Sequence, residues 1–221
     1  MPSPSVASAV VPYIVQRKGE EAAPDNLLLK PIGEVRTRLY YADEDPRDRD
    51  PRGVLYARVS WNPLDDDGMP TGEPLWKFMH PHRQMAVMQM LRCQVCAQPA
   101  RVKDGFIFLA GPRDEDPHQT EILTNQPPVC AKHVRTAAAL CPHMENRPMV
   151  FLARSAPLYG VSGVLYGRLL RGGLQAVARP DGAVPYGHPD LTTFLASQMV
   201  RKLTSFRVLD VEELVQELAS T

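Results

Sequence analysis

No stretch of this chain approaches the roughly 18 consecutive apolar residues that a membrane-spanning helix needs. The apolar run Ala9–Ile14 is short and broken by Pro12, and no basic segment precedes it, so a secretory leader is not expected. Net charge is missing too, because 25 Lys and Arg balance 25 Asp and Glu. No global field draws such a protein to nucleic acid or to a membrane, and a nucleic-acid site would have to be a local patch. Also absent are a Gly-rich phosphate loop, a nucleophile elbow and a His-Glu-x-x-His pair, which removes the commonest signatures of nucleotide, acyl-transfer and metalloprotease chemistry. The expectation is a cytoplasmic protein with no membrane partner. Proline, by contrast, is plentiful at 22 residues, mostly in the first two thirds, where it predicts many loops and short elements.

Cysteine is scarce, at 4 residues, yet all of it falls between Leu91 and Met144, with His118, His133 and His143. Clustered cysteines in a cytoplasmic chain point to metal rather than disulfides. The order is Cys93-x-x-Cys96, a long gap, then Cys130-x-x-His133. A Cys-x-x-Cys turn presents two thiolates to one ion, and residues three apart on a helix share a face. Cys130–Leu140 is alanine-rich, follows Pro127-Pro128 and stops before Pro142, all of which predict a helix. On such a helix Cys141 lies about 12 Å along the axis from His133, at ~1.5 Å per residue. Cys93, Cys96, Cys130 and His133 are therefore the expected ligands of one structural zinc per chain. Cys141 and His143 are alternative ligands only if the helix is short.

Between the ligand pairs, Lys103-Asp-Gly105 is a hairpin turn joining Arg101–Val102 to Phe106–Leu109. The succession of knuckle, β-hairpin, loop and helix over residues 91–141 resembles the treble-clef zinc finger. That family most often has cysteine where His133 stands, and it occurs in nucleases, ribosomal proteins and scaffolding modules. The segments Tyr41-Ala-Asp-Glu-Asp-Pro-Arg-Asp-Arg-Asp50, Leu91-Arg-Cys-Gln-Val-Cys-Ala-Gln-Pro-Ala100, Gln126-Pro-Pro-Val-Cys130 and Cys141-Pro-His143 resemble uncharacterised actinobacterial, Streptomyces-type proteins. This resemblance implies a zinc-binding soluble protein and carries no activity.

The expected fold class is α+β: a treble-clef zinc module (91–144) flanked by small antiparallel β elements and two C-terminal helices. Residues 1–30 read as an N-terminal extension, with short strand candidates at Val10–Val15 and Leu27–Leu29, and residues 31–221 as one domain. Residues 34–61 alternate as a hairpin whose loop, Asp43–Asp50, interleaves carboxylates with arginines and lacks a calcium-loop spacing. Pro81–Leu91 reads as a buried helix. Short strands at Met149–Ala153, Val161–Tyr166 and Leu174–Ala178 form a small sheet within the C-terminal part, 148–221. Leu191, Phe194, Leu195, Met199 and Leu203 fall on one helical face behind Asp190 as N-cap, and Val211–Leu218 predicts a second helix.

Three function classes follow. The first is an interaction or adaptor protein stabilised by zinc. The second is a nucleic-acid-binding regulator using the acid-free stretch that holds Lys77, Arg83, Arg92, Arg101 and Lys103. The third is a zinc-containing enzyme, an HNH-type nuclease or other hydrolase, drawing on His80, His82 or His143. An HNH site would need a histidine at the hairpin, and His118 lies beyond it. His143-Met-Glu145 with Cys93-x-x-Cys96 reverses the order of the deaminase signature.

Overall fold

A computed structural model describes residues 10–23, 26–34, 36–110, 120–140, 149–169 and 172–219. In chain order the elements are β1 (Val15–Arg17), β2 (Leu27–Ile32), β3 (Arg36–Tyr41), β4 (Leu55–Tyr56), β5 (Pro74–Met79), α1 (Pro81–Gln89), β6 (Arg101–Val102), β7 (Gly105–Ala110), β8 (Ile122–Thr124), α2 (Val134–Leu140), β9 (Met149–Ser155), β10 (Leu158–Arg168), β11 (Leu174–Ala178), β12 (Val184–Pro185), β13 (Phe194–Leu209) and α3 (Val211–Ala219). The class is α+β: three short helices among the described residues and one large, mostly antiparallel sheet. No helix among them is long and apolar enough to cross a membrane.

The sheet runs β11-β10-β13-β9-β7-β6, with β12 on β10 and both β4 and β8 on β13. Its spine is β13. The first half of β13 pairs with β10, and the second half pairs with β9. This corrects the expected C-terminal helix over Leu191–Leu203. Phe194 and Ala196 are buried at a spacing of two, and Met199, Val200, Arg201 and Leu203 are all buried further on. The consecutive buried residues Met199, Val200 and Arg201 break the in-and-out alternation of a strand, so a helical face can be picked from it by accident. Neighbouring strands supply the long-range pairing that decides the matter. Asp190 caps no helix; the side chain of His188 caps the short 3-10 turn Pro189–Thr193. Of the two expected C-terminal helices, only α3 is present.

The hairpin expected over residues 34–61 is also repartnered. Strand β3 pairs with β2, from Leu27 opposite Tyr41 to Ile32 opposite Arg36. Leu55–Tyr56 instead runs parallel to β13. The described part of the N-terminal stretch is built into the fold, because β1 pairs with β5. Charged residues anchor it. Arg17 and Glu20 are 2% and 3% exposed, and Arg17 donates to the carbonyls of Val15 and Pro70.

Two contacts hold α1 on the spine and so aim the segment that follows it. Gln84 Nε2 donates to Met199 O at 2.8 Å, while Gln84 Oε1 accepts Met199 N at 2.9 Å. Arg201 reaches back to donate to Met88 O at 2.8 Å and Gln89 O at 2.9 Å. Strands β7 and β9 alternate across two cores. Ile107, Leu109, Val150 and Leu152 face a cluster with Cys93, Val134 and Leu214. Phe108 and Phe151 face the other side with Leu203.

Candidate metal centre

Leaving α1, the chain turns sharply through Leu91, whose φ of 50° lies in the left-handed region. It then forms a tight knuckle. Cys93 N donates to Gln98 O at 2.7 Å, Ala97 N donates to Cys93 O at 2.8 Å, and Val95 N donates to Cys93 Sγ at 3.4 Å. Arg92 Nη1 closes the outside of the turn on Ala97 O at 3.1 Å. The knuckle is held from two sides. Tyr13 N donates to Val95 O at 3.0 Å, and Gln94 N donates to Pro128 O at 2.9 Å.

The second ligand pair is fixed to the same sheet. Val129 N donates to Ile107 O at 2.8 Å, which sets Cys130 at the edge of β7. A 3-10 turn, Ala131–His133, follows and runs into α2. His133 N donates to Cys130 O at 2.9 Å, so both side chains face the knuckle.

The ligand atoms of Cys93, Cys96, Cys130 and His133 all lie within 4.8 Å of one another. His133 Nδ1 is 3.3 Å from Cys130 Sγ and 3.9 Å from Cys93 Sγ, and Cys96 Sγ is 4.0 Å from Cys130 Sγ. A tetrahedral ion bonded at about 2.3 Å to sulfur and 2.0–2.1 Å to nitrogen has ligand-to-ligand edges of roughly 3.5–3.8 Å. The spacings therefore bracket those of a four-ligand cage that can close around one metal ion. Cys93 is buried and the other three are half-buried. Burial, then the neighbouring cysteines, pushes the Cys96 thiol up to about 12. The same causes raise Cys130. Burial and the nearby Lys132 lower His133. Raised in this way, the Cys96 and Cys130 thiols favour the protonated form on their own, and a dication between them reverses that preference.

The other sequence candidates are dispersed. His80 is fully buried: its Nδ1 accepts Arg83 N at 3.4 Å as the N-cap of α1, and its Nε2 lies 3.2 Å from Ser60 O. Burial, then Arg83, pushes it down to about 4. His82 is half-buried against Tyr56 and Trp61. Neither belongs to the metal cluster. Arg83 corrects the proposed contact set. It is 0% exposed, and both its terminal nitrogens bind Glu20, so no partner molecule can reach it. Lys77, Arg92, Arg101 and Lys103 are exposed. His118, Cys141 and His143 lie outside the described residues.

Two supports were not legible in the sequence. One is the backbone pairing of Tyr13 and Ile14 with the knuckle, for which main-chain groups leave no residue signature. The other is α3, whose buried Leu214 joins the cluster that contains Cys93; its apolar spacing was visible, but not its address. No protein-family model matches the chain, and neither a curated protein nor a solved structure does.

Proposed function

We propose that Cys93, Cys96, Cys130 and His133 hold one structural zinc ion, in a treble-clef arrangement, and that the chain is a cytoplasmic interaction protein built around it. The convergence of four ligand atoms within 4.8 Å carries this reading. Three thiolates and one imidazole form a soft donor set that suits zinc and disfavours magnesium or calcium. A full quartet leaves no coordination position for a water, which separates a structural site from a hydrolytic one. Bound there, zinc supplies a cross-link between the knuckle, the entry to α2 and, through Leu214, α3.

The interaction role is supported by apolar surface away from the metal. Trp76 and Phe78 alternate onto one face of β5 and are 36% and 59% exposed, and Trp61 is 52% exposed. Large exposed aromatics of this kind mark contact surfaces. A nucleic-acid role is the second reading, because Lys77, Arg92, Arg101 and Lys103 are all exposed, and basic residues with exposed aromatics suit single strands.

Cobalt substitution tests the core of the proposal. The cobalt form should show the visible spectrum of a tetrahedral thiolate site, unchanged by azide or cyanide. A spectrum that shifts on anion addition reveals an open position and overturns the structural assignment. Steep salt dependence of single-strand affinity would select the second reading, and absence of binding at low salt would end it.

A further inference from the structure

A cavity of about 470 Å³ lies between the start of β3, the loop after Asp50 and the turn that precedes β13. Arg36 at the start of β3, Arg52 after Asp50, and His188 before β13 line it, with Val54, Tyr186 and Leu191 among its apolar walls. Among the described residues no carboxylate lines it. Neither arginine has an ion-pair partner among the described residues, although their neighbours Arg47, Arg49 and Arg58 are all paired.

Arg52 is held in place by a relay. Its guanidinium carbon lies 4.5 Å from the centroid of the Tyr186 ring. Tyr186 donates its hydroxyl to Asp50 Oδ2 at 2.7 Å. The other oxygen of Asp50 accepts Arg52 N at 2.9 Å and Val54 N at 3.0 Å. Asp50 is 4% exposed, so its charge is spent inside the protein on ordering the loop and the ring. Stacking fixes the plane of the guanidinium and leaves its in-plane N–H groups free. His188 adds a third polar group. Its Nδ1 accepts Asp190 N at 3.3 Å and lies 3.6 Å from Asp190 Oδ2. With Nδ1 turned to Asp190, Nε2 is the ring nitrogen left for a ligand, and it donates whenever it carries a proton.

We propose that this cavity binds the phosphoryl group of a small phosphate monoester, with Arg36 and Arg52 as the charged clamps and His188 Nε2 as a third donor. Three separate donors match the three terminal oxygens of a phosphoryl group, whereas a carboxylate has two. The planar guanidinium fork is the side chain best shaped for such an anion. The volume exceeds that of bare phosphate and falls in the range of small-molecule sites. Val54, Leu191 and the Tyr186 ring suit a compact apolar or aromatic remainder. The site is separate from the metal centre and does not depend on how that centre is read.

The test is calorimetric titration of the full-length, metal-loaded protein with inorganic phosphate, phenyl phosphate and benzoate. Saturable binding is expected, with phenyl phosphate tighter than inorganic phosphate and benzoate weaker than phenyl phosphate by at least about tenfold. Arg36→Ala and Arg52→Ala should each weaken phenyl phosphate by at least about tenfold, and Arg52→Lys should lose most of the same affinity because it keeps charge without the fork. Both arginines are exposed, and an unchanged melting temperature verifies that each variant is folded. No saturable phosphate binding by the unmodified protein overturns the proposal, as does undiminished affinity in the Arg36→Ala, Arg52→Ala double variant. Equal affinity for benzoate and phenyl phosphate overturns the phosphoryl assignment.

Discussion

Glu20 and Arg83 face each other in the interior with both side chains 0% exposed, Arg83 Nη1 lying 2.5 Å and Nη2 2.7 Å from the two carboxylate oxygens. The pair is bidentate and further satisfied: Glu20 also accepts Arg17 N at 2.7 Å, and Arg83 donates to Val15 O at 2.9 Å. Taking two charges out of water is costly, and only this dense pairing offsets it. Arg83→Met, which strands the carboxylate, should therefore destabilise the protein by about 3–5 kcal/mol. The shift in urea midpoint measures it. Glu20→Gln/Arg83→Met, which removes both charges, should recover a large part of the loss.

The same pair sets an acid dependence. Burial alone would raise the Glu20 carboxyl, but the hydrogen bonds from Arg83 outweigh it and hold the group below its ordinary value of 4.5. A carboxyl depressed in the folded state contributes stability above its unfolded pKa and loses it as pH falls through the folded one. Unfolding free energy should thus be flat near neutrality and decline below about pH 4.5. In the double variant that decline should be shallower, and an identical acid limb in both proteins would show that other carboxylates govern it.

For the metal centre, protein purified without added metal should carry one zinc per chain, and Cys96→Ser should lose it. Cys141→Ser should retain it. The opposite pattern would overturn the ligand assignment. Chelation should accelerate amide exchange in the knuckle and in α2, which the ligands tie together, while the β10–β13 pairing keeps its protection. Elemental analysis and peptide-resolved exchange read these outcomes.

A fourth prediction concerns the spine. A Cβ at Gly163 would lie 2.1 Å from Leu195 O across the β10–β13 pairing, against backbone that cannot swing aside. Gly163→Ala should cost at least about 1–3 kcal/mol, the range for overpacked interiors. Gly182→Ala, with nothing within 4 Å of its would-be Cβ, is the matched control and should be close to neutral. Thermal melts of the two variants compare them directly.

What could be read from the sequence was what is local. The knuckle, the Lys103-Asp-Gly105 turn and the helix after Cys130 each follow from residues a few positions apart, so spacing assigns each ligand pair, while the contacts of Val129 with Ile107 and of Gln94 with Pro128 bring the two pairs together. Strand β13 could not be read this way. Its partners lie in β4, β8, β9 and β10, and the consecutive buried residues Met199, Val200 and Arg201 interrupt the alternation by which strands are recognised. Arg17, Glu20 and Arg83 failed for a different reason. A charged residue reads as surface unless its partner is known, and here the partner is 63 residues away. Arg52 and Tyr186 likewise meet only in the folded chain.

Strand β13 also follows in the chain every strand that it joins: β4, β8, β9 and β10. During synthesis from the N-terminus, these four emerge before their common partner and wait with apolar edges uncovered. The four candidate ligands, Cys93, Cys96, Cys130 and His133, have by contrast all emerged well before Phe194. A metal ion held by these residues at that stage would tie the knuckle to the entry of α2 while the sheet is still open, and would shield Cys93, Cys96 and Cys130 from oxidation during the interval.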